Sequence, residues 1–212
     1  QDIEIVGIIP LGAAYVMVND RNINTLSKAA GRKVAVLDFD KSQAKMVQKI
    51  GAQPVASDIT NFAGKFNNGQ ADIVAAPAVA FKPLELFKGL GPVGANGLTK
   101  GGIVRFPIVQ ITGNIIIHPD KFPAGYGQKS REYVATQVDK AFKTIEKTEK
   151  DVPAKYWMDV AEADKPGYIK LMRESRISLA ADGIYDKKML SLLKRVRCKH
   201  DPASFECALK DE

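Results

Sequence analysis

The sequence predicts an α/β fold, a mixed sheet flanked by helices and followed by a helical C-terminal part. Three observations carry that expectation. Short apolar runs alternate with amphipathic segments over residues 33–77, with brief links, as in βαβ units. Residues 103–117 form the most strand-like stretch of the chain, interrupted at Pro107 and Gly113. From Tyr126 onward the apolar period becomes helical and stays so.

Taken in order, residues 3–9 read as a short buried strand closed by Pro10, and residues 14–18 as a second apolar run ending at Asn19-Asp20. Asn24 or Thr25 is placed to cap a short amphipathic segment that stops at Gly31. Residues 33–37 follow as a strand. A helix over residues 40–50 comes next, with Met46, Val47 and Ile50 on one stripe and Gly51 as its stop. Pro54-Val55 then reads as a brief strand, residues 59–66 as a helix and residues 71–75 as another strand.

Six glycines between Gly89 and Gly102 make a flexible connection. Pro107 restricts the long run after it to an edge, a bulge or a bend, and a bent strand of that length suits a crossing between lobes. In the rear part Tyr133, Val134, Val138, Phe142 and Ile145 form one stripe. Trp157, Tyr168, Ile169 and Met172 continue the apolar pattern, and Met189, Leu190, Leu193 and Val196 define the final helix. The division expected is an α/β front over residues 1–118 and a helical rear over residues 119–212.

The chain has 212 residues, 45% hydrophobic and 26% charged, which is globular composition with room for one large domain or two small lobes. No apolar run reaches the roughly 18 residues of a helical membrane span; the longest is broken by Arg105, Gln110 and Asn114. The net charge of +7 is divided between the halves, with 12 basic and 8 acidic groups in residues 1–118 and 19 and 16 after them. Basic and acidic groups interleave over residues 140–150, a solvated mixed surface rather than a nucleic-acid face. Cys198 and Cys207 stand close together; bonded, they would staple a loop worth about 2–3 kcal/mol, and unbonded they are two unrelated thiols. The pair suits an oxidising compartment.

Catalytic signatures are missing from the pattern. His118 and His200 are the only histidines, and neither sits in a metal-ligand spacing. No nucleophile elbow, Walker A or GxGxxG segment occurs. Asp38 and Asp40 flank Phe39 just after a strand, where a helix-capping turn outweighs acid–base work. The reading is a non-enzyme without cofactor or metal. Loops after strand ends, at Asp38 to Asp40, at Ala75 to Pro77 and around Gln110 to Asn114, instead suit a small-ligand crevice.

Residues 19–77 carry a resemblance. Asn19-Asp-Arg-Asn-Ile23, Gly31-Arg-Lys-Val-Ala-Val36, Ile50-Gly-Ala-Gln-Pro54, Asn68-Gly69 and Asp72 through Pro77 resemble, in order and spacing, the TRAP-transporter extracytoplasmic solute-binding proteins. Gly7-Ile-Ile-Pro-Leu-Gly-Ala-Ala-Tyr15, Lys65-Phe-Asn-Asn-Gly69 and Phe81-Lys-Pro-Leu-Glu85 are similar to an AdeT-like group of periplasmic solute-binding proteins, some of which carry an RND-type efflux and aminoglycoside-resistance label. The resemblance implies a type II periplasmic-binding-protein fold, two lobes closing on a ligand, a periplasmic location and a start at Gln1 left by processing or truncation. It makes residues 1–118 an α/β ligand-binding lobe with hinge strands and residues 119–212 a helical region with a stapled tail that packs on the sheet and hinge. It also implies that the N-terminal lobe lies outside this sequence, and unpaired hinge strands would then favour self-association.

Two departures matter. The family clamps a substrate carboxylate with the arginine of a Gly-x-Lys-x-Arg strand, and Ala35 stands at that position. A polar residue precedes the family's proline where Ala76 stands here. A methyl group cannot replace a bidentate guanidinium, so the ligand expected is not a simple carboxylate. The cleft expected is lined by Tyr15, Asp38, Phe39, Pro77, Phe81, Phe106, Gln110 and Asn114. The partner would be a TRAP-like transporter or an envelope efflux system. The alternative is an interaction or accessory protein with a degenerate ligand site, associated with drug efflux.

Overall fold

The computed structural model describes residues 2–211, so the reading placed on Gln1 lies outside the described residues. Six strands form one mixed sheet in the order β3-β2-β4-β1-β5-β6. They are β1 (Glu4–Val18), β2 (Lys33–Leu37), β3 (Gln53–Ser57), β4 (Ile73–Pro77), β5 (Gly102–Ile117) and β6 (Trp157–Met158). β2 pairs in parallel with β3 and β4, as the βαβ alternation requires, whereas β1 runs antiparallel to both β4 and β5.

Residues 3–9 and 14–18 are not two strands. They belong to one bent strand, with Pro10 inside it and register shifts on either side. The shifts absorb the proline and glycines without ending the ladder. β1 and β5 thereby make a long two-stranded ribbon, running from Glu4 opposite Ile117 to Val18 opposite Gly102.

The side chains of β1, β2 and β4 alternate between two buried layers. Met17, Ala35, Val74 and Ala76 face one layer with Phe62, Phe66, Phe81, Leu86 and Leu90. Val18, Val34, Val36 and Ile73 face the other with Ile23, Ala29 and Val47. Helix α3 (Phe62–Asn67) and the 78–90 segment cover the first face; α1 (Leu26–Ala29) and α2 (Lys41–Lys49) cover the second. Thr25 caps α1, and the Asp40 carboxylate accepts from the N–H groups of Ser42 and Gln43, both at 3.0 Å, to cap α2. Asp40 thus has the capping role expected of it.

Helix α4 (Tyr126–Lys150) runs 25 residues along the ribbon. Its close seat depends on glycine. A Cβ on Gly7 would come within 2.7 Å of Val134, and one on Gly12, whose φ is +98°, within 3.0 Å of Ile145. Val134 and Ile145 are therefore buried, while Tyr133 and Phe142 of the same expected stripe stay exposed. Helix α5 (Lys165–Ala181) packs on α2, with Lys49 and Glu174 paired at 3.1 Å, and Tyr168 meets Phe106 at 5.1 Å. Helix α6 (Lys187–His200) is bonded to the tail through the Cys198–Cys207 disulfide. Trp157, expected within the helical rear, is instead the first residue of β6, opposite Ile103. No helix among the described residues is long and apolar enough to cross a membrane.

Candidate functional site

A cleft of about 290 Å³ opens where the first sheet face meets α4, lined by Tyr15, Arg105, Glu146, Glu149, Lys150 and Trp157. The pleat explains its floor. Tyr15 lies two residues before Met17 on β1 and Arg105 two after Ile103 on β5, so each shares its neighbour's face. The wall comes from α4, whose Glu146, Glu149 and Lys150 are spaced i, i+3 and i+4 and project together.

Trp157 is fixed from several sides. Its ring stands edge-on to Tyr15 at 5.1 Å and 83°, and its indole N–H donates to Val152 O at 3.3 Å. Arg21, from the turn after β1, donates to the carbonyls of Thr99 (2.8 Å), Trp157 (3.1 Å) and Lys155. The arginine of the Asn-x-Arg-x-Ile turn is thus a clasp holding the aromatic floor in place. The Arg105 guanidinium lies over the Trp157 ring at 4.7 Å, and its Nε pairs with Asp159 at 2.9 Å.

The Tyr15 hydroxyl donates to Glu149 Oε1 at 3.1 Å. Burial and then the Glu149 carboxylate push the Tyr15 phenol from 10.0 up to about 12, with Arg105 opposing. The raised value means that the fold favours the protonated phenol. Its contribution to stability is intact below pH 10 and is lost as the pH climbs from there through about 12. Tyr168 is also raised by burial. An ultraviolet phenolate titration should show two late tyrosines, and Tyr15→Phe should remove one; an unchanged late phase would contradict the Tyr15–Glu149 bond.

Of the eight residues expected to line a cleft, Tyr15, Pro77 and Phe81 gather at one sheet face, and the other five lie apart from this hollow. Tyr15 alone reaches it. Phe81 is 2% exposed beneath it, in ring contact with Phe87 and Tyr156, and Pro77 ends β4 half-buried. Asp38 and Phe39 sit exposed in the β2–α2 turn, with Phe39 at 73%. Phe106 packs against Tyr168 and Val104 in a separate cluster, and Gln110 and Asn114 are exposed along the ribbon. Sequence reasoning missed Arg105, Glu149 and Trp157. The signals were faint: a cation two residues past a buried isoleucine, a lone tryptophan and a glutamate pair on a helix expected to be solvated.

His118 lies just past β5, its Nδ1 2.6 Å from the carbonyl oxygen of Asp2, beside a second, open hollow with Asp120 and Lys121. Among the described residues no group of three or more His, Cys, Asp or Glu is placed to hold a metal ion.

The family profile described as "Solute-binding protein AdeT 1/2" matches residues 1–212. "Probable solute-binding protein AdeT1" of Acinetobacter baumannii is 54% identical over 209 residues, covering 99% of this chain and 66% of the relative. "Probable solute-binding protein AdeT2" of the same organism is 32% identical, covering 99% of this chain and 85% of the relative. The matched stretch thus spans 66% of AdeT1's own length, slightly under two thirds of it. A TRAP periplasmic solute-binding protein from Desulfovibrio salexigens, solved with orotic acid, superposes with a TM-score of 0.65 at 16% identity, over 92% of this chain and 62% of that one. The fold is that of the TRAP periplasmic binding proteins, and the chain belongs to the AdeT 1/2 family of solute-binding proteins.

Proposed function

We propose that this protein is a non-enzymatic periplasmic receptor that holds a small molecule against the sheet face bearing Tyr15 and Trp157. Residues 1–118 supply one wall of an interlobe cleft and its hinge strands, and residues 119–212 brace them. The observation that carries the reading is the cleft itself. An aromatic floor, a phenol, a guanidinium and two carboxylates converge in a protein of a solute-binding family. Tyr15 is the ligand contact we retain, joined by Arg105, Glu149 and Trp157. Gln110 and Asn114, on the exposed ribbon, are open to a ligand from the opposite side. The receptor would deliver its solute to a TRAP-like transporter or an envelope efflux system.

The solute is not a simple carboxylate. Ala35 and Ala76 are 3% and 1% exposed within the apolar layer, so the family's clamp has no counterpart there. Arg105 lies over Trp157 with its Nε paired to Asp159, so it can meet a solute with its outer edge while offering no free fork for a bidentate carboxylate clamp. Thermal-shift and calorimetric screening of the full-length protein tests the reading. A ligand at a hundred times its Kd should add about 2.7 kcal/mol, and Trp157→Ala should remove that gain. Tight binding of a small organic acid, abolished by mutations in this lobe, would overturn the exclusion of carboxylates.

The burial of Ala35 and Ala76 also favours a second reading, an accessory protein that keeps the fold and has lost the ligand site. A flat ligand screen together with a reproducible envelope partner in pull-downs would establish that reading in place of the first.

A further inference from the structure

Helix α6 reads Lys187-Lys-Met-Leu-Ser-Leu-Leu-Lys-Arg-Val-Arg-Cys-Lys-His200, with six Lys and Arg and no Asp or Glu in 14 residues. The near-even division of net charge between the halves thus conceals a local cluster of cations on this helix. At about 100° per residue, Met189, Leu192, Leu193 and Val196 fall within an arc of about 100°. Such a stripe normally faces a core. Here those four side chains are 52%, 44%, 46% and 47% exposed.

The helix packs through another face. Leu190, 6% exposed, is its buried residue, and Cys198 on the same side bonds the tail at Cys207. Lys188, Arg195 and Lys199 line one border of the apolar stripe, all three exposed. Three nearby carboxylates are committed elsewhere. Asp186 caps the helix through Met189 N–H at 2.7 Å, Glu206 is held by Arg176 and Arg197, and Asp211 by Arg173. Among the described residues no carboxylate pairs with Lys188, Arg195 or Lys199.

We propose that α6 is a membrane-surface docking helix. It lays Met189, Leu192, Leu193 and Val196 into the interface of an anionic phospholipid bilayer, and Lys188, Arg195 and Lys199 meet the lipid phosphates. A cationic helix with a separate apolar stripe has the composition of interfacial helices, and long basic side chains reach headgroups while their stems stay on apolar surface. Charge decides against the other occupants. A second copy would bring two all-cationic helices together. Protein interface cores are enriched in aromatic residues and depleted in lysine, whereas this stripe has no aromatic residue and is edged by Lys188, Arg195 and Lys199. The proposal does not rest on the identity, or the existence, of a bound solute.

Flotation of the full chain with vesicles tests it. Binding is expected to vesicles of mixed phosphatidylcholine and phosphatidylglycerol, not to phosphatidylcholine alone, and should weaken as salt is raised. Lys188→Gln, Arg195→Gln and Lys199→Gln together should lower partitioning on the order of a hundredfold, from roughly fivefold per cation near an anionic surface. Leu193→Glu with Val196→Glu should abolish binding. Both positions are solvent-exposed, so the circular-dichroism melting curve should not move. No flotation with the anionic vesicles would overturn the proposal, as would binding that the glutamate pair leaves unchanged. It would also fall if light scattering showed a dimer, or pull-down an acidic protein partner, dependent on Leu193 and Val196 while vesicles went unbound.

Discussion

Ala35→Arg is expected to destabilise the protein by about 3–5 kcal/mol, the scale of an uncompensated charge in a protein interior. The substitution restores the arginine of the wider family's strand motif, yet the site cannot take it. Ala35 is 3% exposed and shares its layer with Phe62, Phe66, Ala76 and Phe81, whose side chains offer no hydrogen-bond acceptor. A guanidinium there would lose water and gain no partner. Urea unfolding reads the effect directly as a lower midpoint with an unchanged slope. The result that would overturn the account is a variant as stable as the parent that acquires affinity for succinate. Position 35 would then open to the cleft, and the family's carboxylate clamp would be one residue away.

Phe66→Ala should cost a similar amount, about 3–5 kcal/mol, through lost burial and the cavity left behind. Phe66 is fully buried at the end of α3, and a Cβ on Gly89 would lie 2.4 Å from its ring. The ring thus fastens α3 to the 78–90 segment, which Asn67 ties at two points by donating to Leu84 O and accepting from Gly89 N–H. Because both sides are fixed, neither collapses into the gap. Gly89→Ala should also destabilise, by about 1–3 kcal/mol, because the ring has nowhere to move. Thermal and urea unfolding of the two variants checks the pair. A mild Phe66→Ala with a neutral Gly89→Ala would mean that this segment does not hold the layer.

Much of the fold was legible because periodicity and caps are local. The alternation over residues 33–77, Thr25 and Asp40 as caps and the long strand before the helical rear all stand in the structure. The unity of β1 was not legible. Pro10 is a stop by local rules, and only the full length of β5 beside it, with bulges to take up the irregularity, makes it part of a strand. Trp157 was misplaced for the same reason. Two residues have no period, and β6 exists because Ile103 and Val104 of β5 offer an edge to pair with.

The candidate site divides along the same line. The family, the missing clamp at Ala35 and Tyr15 as the polar tip on a buried strand were legible from residue identity at fixed spacing. Only the tertiary structure decided that Tyr15 meets Glu149, 134 positions away, that Arg105 covers Trp157 and that the clamp's place is filled by core. It also decided that the apolar stripe of α6 faces outward. A helix displays its stripe in sequence, but which of its faces is covered depends on what the rest of the chain brings against it. Here Leu190 and the disulfide turn a different side inward.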